Sequence, residues 1–218
     1  FNTENTAHYI TDYQGVLLDQ ILDTITELDS TSKLQVVQER RLLAEAGHIS
    51  FAELVPVIEK LTEENSYLVV SGVKAVLSGL KIFVEEGSES EKAYNDLVIK
   101  LSRFNFDRLG FEAKDGESDE DELVRQIVIG NLIAANDEKA TQEADRIFEA
   151  HQNDLEKLPA AIRLHILINQ IKHHESKELT DQYLKNYVST VDGSFKRQLA
   201  SALAYTNDRE TLDQILEA

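Results

Sequence analysis

The chain has 218 residues with 40 acidic and 22 basic side chains, so its formal net charge is −18 at pH 7. A protein this acidic repels phosphate backbones, which argues against nucleic-acid binding. The absence of cysteine excludes a disulfide framework, a cysteine nucleophile and a thiolate metal site, and it agrees with a cytoplasmic location. No apolar run approaches the ~20 residues of a membrane helix, so we expect no membrane partner.

Two prolines and nine glycines are too few for the many turns of an all-β fold. Apolar residues instead recur at helical spacing, and we expect each set to be buried against a neighbouring helix. The first set is Val16, Leu17, Ile21, Leu22, Ile25 and Leu28, and the set near the other end is Leu179, Tyr183, Leu184, Tyr187 and Val188. The pattern predicts helices over 14–28, 32–46, 51–63, 66–85, 89–104, 119–135, 138–151, 160–173, 177–189, 194–204 and 208–217.

Local start and stop signals support these boundaries. Ser50 with Glu53 forms a capping-box pattern, although Pro56 is expected to kink that helix or delay its start. Gly47 and Gly87 follow predicted helices and suit the left-handed position at a helix end.

The predicted helices form pairs of roughly repeat length, which indicates an all-α fold, an irregular α-solenoid of stacked helical hairpins similar to HEAT or armadillo arrays. Residues 1–13 contain few helix formers and are predicted to be a short extended lead-in to a helical domain spanning 14–218. We also expect the chain to be a piece of a longer protein, because residue 1 is Phe.

The longest predicted loop is 105–118, and it could join two halves, 14–104 and 119–218. Leu109 and Phe111 are expected to pack on the helices. The acidic stretch from Asp115 onward is expected to be solvated and open to proteolysis near Lys114.

One group of residues could ligate a metal: His165, His173, His174 and Glu175. However, His165 lies too far from His174 for two ligands on adjacent helical turns. His173 and His174 also suit the negative end of a helix dipole. The prediction is therefore no metal site.

Three other features have a structural reading that is preferred to the functional one. The acidic run from Glu112 to Glu122 lacks the ligand spacing of a calcium loop and suits a helix N-terminus. Gly72 and Gly79 could admit a ligand but fit close helix packing better. Arg40 and Arg41 could hold a ligand carboxylate, yet an ion pair is expected.

The sequence contains no HExxH, P-loop, GxGxxG or GxSxG motif. Paired carboxylates for acid–base chemistry cannot be selected among 40 acidic residues. We therefore predict no catalytic residue in this chain, and substrate-binding residues stay unassigned.

Four stretches in order resemble the C-terminal helical domain of zinc aminopeptidases of the aminopeptidase N family. AHYITDY resembles the segment in which a β-domain leads into the helices, with Ile10 at the family's Arg position. QERRLLAEAGHIS and EENSYLVV are similar to the next two motifs, with Val70 at the usual Trp. The stretch that begins LGFEAKDGE resembles the second-half signature. The matching residues are Tyr9, Tyr13, Leu43, Ala44, Ala46, Gly47, Ser50, Glu64, Tyr67, Val69, Leu109, Gly110, Gly116, Glu117, Leu123, Arg125, Asp137, Ala144 and Phe148.

The resemblance implies a capping domain of a zinc-dependent enzyme that removes N-terminal residues from peptides. The acidic composition without Cys, Met or Trp is similar to that of Gram-positive members such as the lysyl aminopeptidases. The parent enzyme would bind zinc, and this fragment would bind no cofactor. Its partners would be the catalytic and β-domains of the parent enzyme and the peptide substrates. The fragment alone would be inactive. Two alternatives stay open: an independent α-solenoid scaffold for protein interaction, and a free-standing hydrolase that uses the region from His165 to Glu175.

Overall fold

A computed structural model describes residues 9–209 and 211–213. This part of the chain contains no β-strand, and α-helices cover more than half of its residues. The helices are α1 Val16–Thr24, α2 Ser30–Glu45, α3 Val55–Glu59, α4 Tyr67–Lys81, α5 Glu89–Leu109, α6 Asp119–Ala134, α7 Glu138–His151, α8 Arg163–His174, α9 Lys177–Ser189 and α10 Gly193–Leu203.

The chain forms two compact units, residues 1–131 and 132–218, and the boundary lies in the last turn of α6. In the first unit α2 packs on α4, and in the second α7 packs on α8 while α10 packs on both α8 and α9. Packing of helices on near neighbours in sequence is the pattern of helical-hairpin repeats. The predicted all-α class of stacked helical hairpins is confirmed.

Small and β-branched side chains let the helices of the first unit approach closely. Val36 and Val37 of α2 and Val69 and Val76 of α4 are fully buried. A Cβ atom at Gly72 would lie 2.7 Å from the Cδ1 atom of Leu34. A side chain at this position would therefore have to displace the end of the Leu34 side chain.

Large apolar side chains fill the second unit. Ile166 of α8, Tyr183 of α9 and Phe195 and Leu199 of α10 are fully buried. The hydroxyl of Tyr183 donates a hydrogen bond to the carbonyl oxygen of Leu167 at 3.3 Å, which satisfies a polar group that water cannot reach.

Several local predictions are confirmed. Ser50 and Glu53 form a reciprocal capping box. A 3₁₀ turn over Phe51–Leu54 precedes α3, and Pro56 lies in the first turn of α3, so the proline delays the α-helix as predicted. Gly47 follows α2 with φ of 75°, a left-handed conformation that glycine adopts without a steric penalty.

Two predicted boundaries around the middle of the chain are wrong. The helix predicted over 66–85 ends at Lys81, so Gly87 is not its end position although its φ is 74°. The loop predicted over 105–118 begins only after Leu109, because α5 continues through that stretch. The reason is tertiary: Asn105 is 1% exposed, and its amide nitrogen donates to the carbonyl oxygen of Glu64 at 2.7 Å.

Burial of the apolar stripes is incomplete. Leu109 and Phe111 are buried, as predicted. However, Val16 and Leu17 of α1 and Val188 of α9 are exposed, which contradicts the expectation that each stripe is covered. These side chains occupy the ends of their helices, where fewer neighbouring residues are available to cover them.

The two ends of the chain are described in part. Residues 9–13 form no helix, whereas residues 1–8 of the predicted lead-in lie outside the described residues. Of the helix predicted over 208–217, Arg209 and residues 211–213 are helical, and 210 and 214–217 lie outside the description. Within the described ranges, no helix combines the length and the apolar character needed to cross a bilayer.

Candidate functional site

The residues weighed as metal ligands, His165, His173, His174 and Glu175, form no metal-binding group within the part of the chain that the structure describes. His173 and His174 end α8 and are exposed, and their ring centroids lie 6.4 Å apart. Although His173 is exposed as a residue, partial desolvation of its ring, followed by the charges of Lys172 and His174, lowers the pKa of His173. Glu175 instead accepts a hydrogen bond from the hydroxyl of Thr206, so its carboxylate holds the chain that follows α10.

Asp145 of α7 is the hydrogen-bonding centre of this region. Its Oδ1 atom accepts from the amide nitrogens of Asn169 and Gln170, each at 2.7 Å, and from Nε2 of His174 at 3.0 Å. Asn169 is fully buried and Gln170 is 5% exposed. One carboxylate therefore joins α7 to α8 through the side-chain amides of two buried residues.

A surface pocket of about 130 Å³ adjoins this centre, and it is lined by Asp145, Glu149, Gln170 and His174. The volume suits one small polar group, because pockets that enclose whole drug-sized ligands measure ~300–1,000 Å³. The pocket presents two carboxylates and one amide to solvent.

Sequence analysis found only His174 among these pocket residues. Asp145 and Glu149 are four residues apart on α7, and Gln170 and His174 are four apart on α8. Residues at this spacing lie on one face of a helix. That spacing was a usable signal, but the pairing of the two helices was needed to select it among the many acidic residues.

Arg40 has a structural role, as expected. It is 2% exposed and donates to the carbonyl oxygen of Tyr13 at 3.2 Å. Its guanidinium also lies 3.5 Å from Asp12 and 3.4 Å from Glu53. The neighbouring Arg41 pairs with Glu45 one turn away. Arg40 therefore attaches the segment before α1 to α2 and is not available for a ligand.

Glu64 joins α2 to the N-terminus of α4. Its Oε2 atom lies 2.7 Å from Nζ of Lys33, and its Oε1 atom accepts from the backbone amides of Asn65 and Ser66. Burial acts to raise the pKa of Glu64, but the hydrogen bonds from Lys33 and Ser66 outweigh it and hold the pKa below its usual range. Since every part of the carboxylate is engaged, Glu64 suits a structural role.

Two arginines form ion pairs in and beside the loop over 110–118. Arg125 pairs with Glu117, and Arg108 pairs with Asp121. The side chain of Glu117 is 16% exposed, so the prediction that the whole acidic stretch is solvated is wrong at this residue. Hydrogen bonds from the backbone of Ser118 and from Arg108 lower the pKa of Asp121 to about 2. The acidic run therefore serves as a helix N-terminus and an ion-pair clamp.

The helical glycines are packing sites. A Cβ atom at Gly79 would lie 2.3 Å from the Cε1 atom of Phe51, which is closer than real contacts allow. Together with the close approach at Gly72, this favours the structural interpretation of both residues. Neither lines a described pocket.

The residues present do not fit a zinc site. Across residues 9–209 and 211–213 there is no group of three or more His, Asp or Glu side chains that could hold a metal ion. Zinc in catalytic sites takes three protein ligands. Asp145 and His174 would supply only two ligands, and one hydrogen bond already joins their side chains.

Comparison with known proteins identifies aminopeptidases. Aminopeptidase N of Lactococcus lactis subsp. lactis is 49% identical over 216 residues, covering 99% of this chain and 25% of that protein. Aminopeptidase N of Lactobacillus helveticus is 38% identical over 215 residues, covering 99% and 26% respectively. Puromycin-sensitive aminopeptidase of Caenorhabditis elegans is 22% identical over 219 residues, covering 99% and 23%. The chain thus spans about a quarter of the length of these relatives.

The family match extends over the whole chain. The ERAP1-like C-terminal domain family matches residues 1–218, which include the four stretches of motif resemblance. The resemblance to aminopeptidase C-terminal domains is confirmed by this match and by the relatives. The helical packing and the matched residues together show that the chain belongs to the ERAP1-like C-terminal domain family.

Proposed function

We propose that the chain is the C-terminal capping domain of a zinc-dependent aminopeptidase that removes N-terminal residues from peptides. The observation that carries this proposal is the family match over residues 1–218, together with relatives named Aminopeptidase N of which the chain spans a quarter. In this proposal residues 1–13 lead in from a preceding β-domain. The helices of 14–218 close the catalytic chamber, and the parent enzyme works in the cytoplasm on peptides.

The catalytic chemistry belongs to the rest of the parent enzyme. Zinc-dependent peptide hydrolysis needs a metal-bound water, a general base and groups that hold the substrate amine. The 218 residues contain no HExxH motif. We infer that this chain contributes no catalytic residue and no zinc ligand, and that its role is to shape the chamber.

Charge gives the domain a second role in the same proposal. A net charge of −18 attracts cationic peptides, and the attraction acts over a Debye length of about 8 Å at physiological salt. The domain would thus raise the local concentration of peptides that carry Lys or Arg. The choice of the N-terminal residue itself would remain with the catalytic domain.

The test compares the isolated chain, the intact parent and a parent truncated before residue 1. We measure zinc content and the hydrolysis of one aminoacyl dye, one dipeptide and one longer peptide. The isolated chain is expected to bind no stoichiometric zinc and to release no dye. The truncated parent is expected to keep most of its zinc and to lose most of its peptide turnover, because removal of the cap opens the chamber.

Two outcomes would contradict the proposal. Turnover by the isolated chain that a chelator abolishes would show a metal site in the region from His165 to Glu175, and hence a free-standing hydrolase. Full activity and an unchanged preference for peptide length in the truncated parent would leave the domain as an interaction scaffold.

A further inference from the structure

Two consecutive apolar residues lie in the turn that follows α4 and face solvent. Ile82 is 79% exposed and Phe83 is 66% exposed, which makes Phe83 the most exposed aromatic side chain among the described residues. An aromatic side chain presents ~150–250 Å² of surface, so Phe83 alone leaves roughly 100–160 Å² in contact with water. Single exposed apolar residues are ordinary, whereas an adjoining pair of this size marks a candidate contact surface.

The exposed pair rests on a second aromatic ring. The ring centroids of Phe83 and Phe51 lie 5.5 Å apart, and the ring planes are tilted by 44°. Phe51 in turn occupies the space over Gly79 of α4, where a Cβ atom would lie 2.3 Å from its Cε1 atom. The glycine therefore lets Phe51 pack against the helix, and Phe51 supports the inner side of Phe83.

Hydrogen bonds fix the backbone on both sides of the pair. The backbone amide of Phe83 donates to the carbonyl oxygen of Leu80 at 3.0 Å. Further along the chain, the amide of Gly87 donates to Oε2 of Glu91 in α5 at 2.8 Å. Because the turn is already ordered, a partner that covers these side chains needs little further ordering of the backbone, which favours association.

Carboxylates border the exposed pair. Glu85 and Glu86 are exposed, and neither forms an ion pair within the part of the chain that the structure describes. The basic residue directly before the pair, Lys81, already lies 3.8 Å from Glu91. The surface therefore has an apolar centre and an acidic border. It is complementary to an apolar cleft that is bordered by Lys or Arg.

A second copy of this chain does not have that complementary character. It would bring the same two carboxylates, and a formal net charge of −18, against the first copy. The relatives indicate another occupant, because about three quarters of each relative lies outside the part that this chain matches. In the proposed parent enzyme that remainder is covalently attached, so its effective concentration at this surface is high.

We propose that Ile82 and Phe83 anchor this domain on the rest of its parent enzyme. The two side chains insert into an apolar cleft formed by polypeptide outside residues 1–218, and Glu85 and Glu86 pair with Lys or Arg side chains at its border. Aromatic and apolar anchors at the centre of an interface contribute most of its binding energy, whereas charges at the border set the orientation. This inference rests on the proposed function, since it requires the chain to be one domain of a larger aminopeptidase.

The first test measures the accessibility of the anchor in the intact parent enzyme. The 218 residues contain no cysteine, so Ile82→Cys and Val191→Cys each add a single thiol to this domain. Val191 lies in the other compact unit, is 102% exposed and serves as the matched control. Maleimide labelling of each site is followed by mass spectrometry, and each rate is corrected for the thiolate fraction read from its pH dependence. We expect labelling at position 82 to be at least about tenfold slower than at position 191, because it requires a local opening of the interface.

Variants of the neighbouring residues are expected to release the protected thiol. In the Ile82→Cys parent, Phe83→Ser should raise the labelling rate about tenfold, because truncation of an anchor residue weakens docking by at least that factor. Glu85→Gln combined with Glu86→Gln should raise it about threefold. The control is Glu120→Gln combined with Glu122→Gln, which removes two exposed carboxylates elsewhere and should leave the rate unchanged.

Dilution distinguishes docking within one polypeptide from contact with a second copy. Protection that persists after about a hundredfold dilution supports the proposal, whereas protection lost on dilution would show self-association and overturn it. Equal labelling rates at positions 82 and 191, or a rate that Phe83→Ser does not change, would also overturn it. The labelling does not depend on turnover, so full activity in the truncated parent would refute the capping role without altering this result.

Discussion

Replacing Asp145 with Leu tests whether one carboxylate holds the α7–α8 pair together. The change leaves the amide nitrogens of Asn169 and Gln170 without their 2.7 Å acceptor, and these residues are only 0% and 5% exposed. A buried donor that loses its partner costs ~1–3 kcal/mol. Asn169 retains a 3.4 Å contact with the carbonyl oxygen of Thr141, and His174 is exposed, so we expect a total loss of ~2–4 kcal/mol.

Two companion variants isolate the cause. Asp145→Asn keeps an oxygen acceptor at the same place and loses only the assistance of the charge, so it should destabilise by ~1 kcal/mol. Adding Gln170→Leu to Asp145→Leu removes one of the orphaned donors together with its acceptor. Replacing both partners of a buried hydrogen bond with apolar groups can be nearly neutral, so the double variant should recover part of the loss.

The assay is urea unfolding followed by circular dichroism at a helical wavelength. With a slope of ~2 kcal/mol per molar urea, the expected loss moves the midpoint of Asp145→Leu down by roughly 1–2 M. The reasoning is refuted if the Leu and Asn variants unfold at the same urea concentration. It is equally refuted if the double variant is less stable than Asp145→Leu, because the orphaned amide would then not be the source of the cost.

Two further predictions concern the loop after α5. Because the pKa of Asp121 is about 2 in the folded chain and 3.8 is its ordinary value, its contribution to stability is complete above pH ~4 and is lost as the pH falls towards 2. Asp121→Asn should flatten the stability profile in that window, and an unchanged profile would contradict the assignment to Arg108 and Ser118. Trypsin should cut first at exposed Lys114, and Glu117→Gln should speed that cut in a gel time course; a first cut within α4 would show that the loop is protected.

Local chemistry explains how much of the fold could be predicted. The capping box at Ser50 and Glu53 and the delay at Pro56 depend on residues within one or two turns, so the sequence contains all the information needed. The position at which α5 ends depends instead on a contact with a residue far away in the sequence. Asn105 stays helical because its amide bonds to Glu64, 41 residues earlier, and no local rule includes that partner.

The candidate site shows the same limit more sharply. On the sequence, Asp145 is one of 40 acidic residues, and its spacing from Glu149 does not by itself select it. It becomes distinctive only because Asn169 and Gln170, 24 and 25 residues later, direct their amides at one of its oxygen atoms and leave the other unused. The histidines attracted attention because their residue type suggests metal chemistry, yet their ligand geometry fails. Residue type therefore drew attention to the histidines at the end of α8, whereas the contact that matters there is made by buried amides, which fix the position of Asp145.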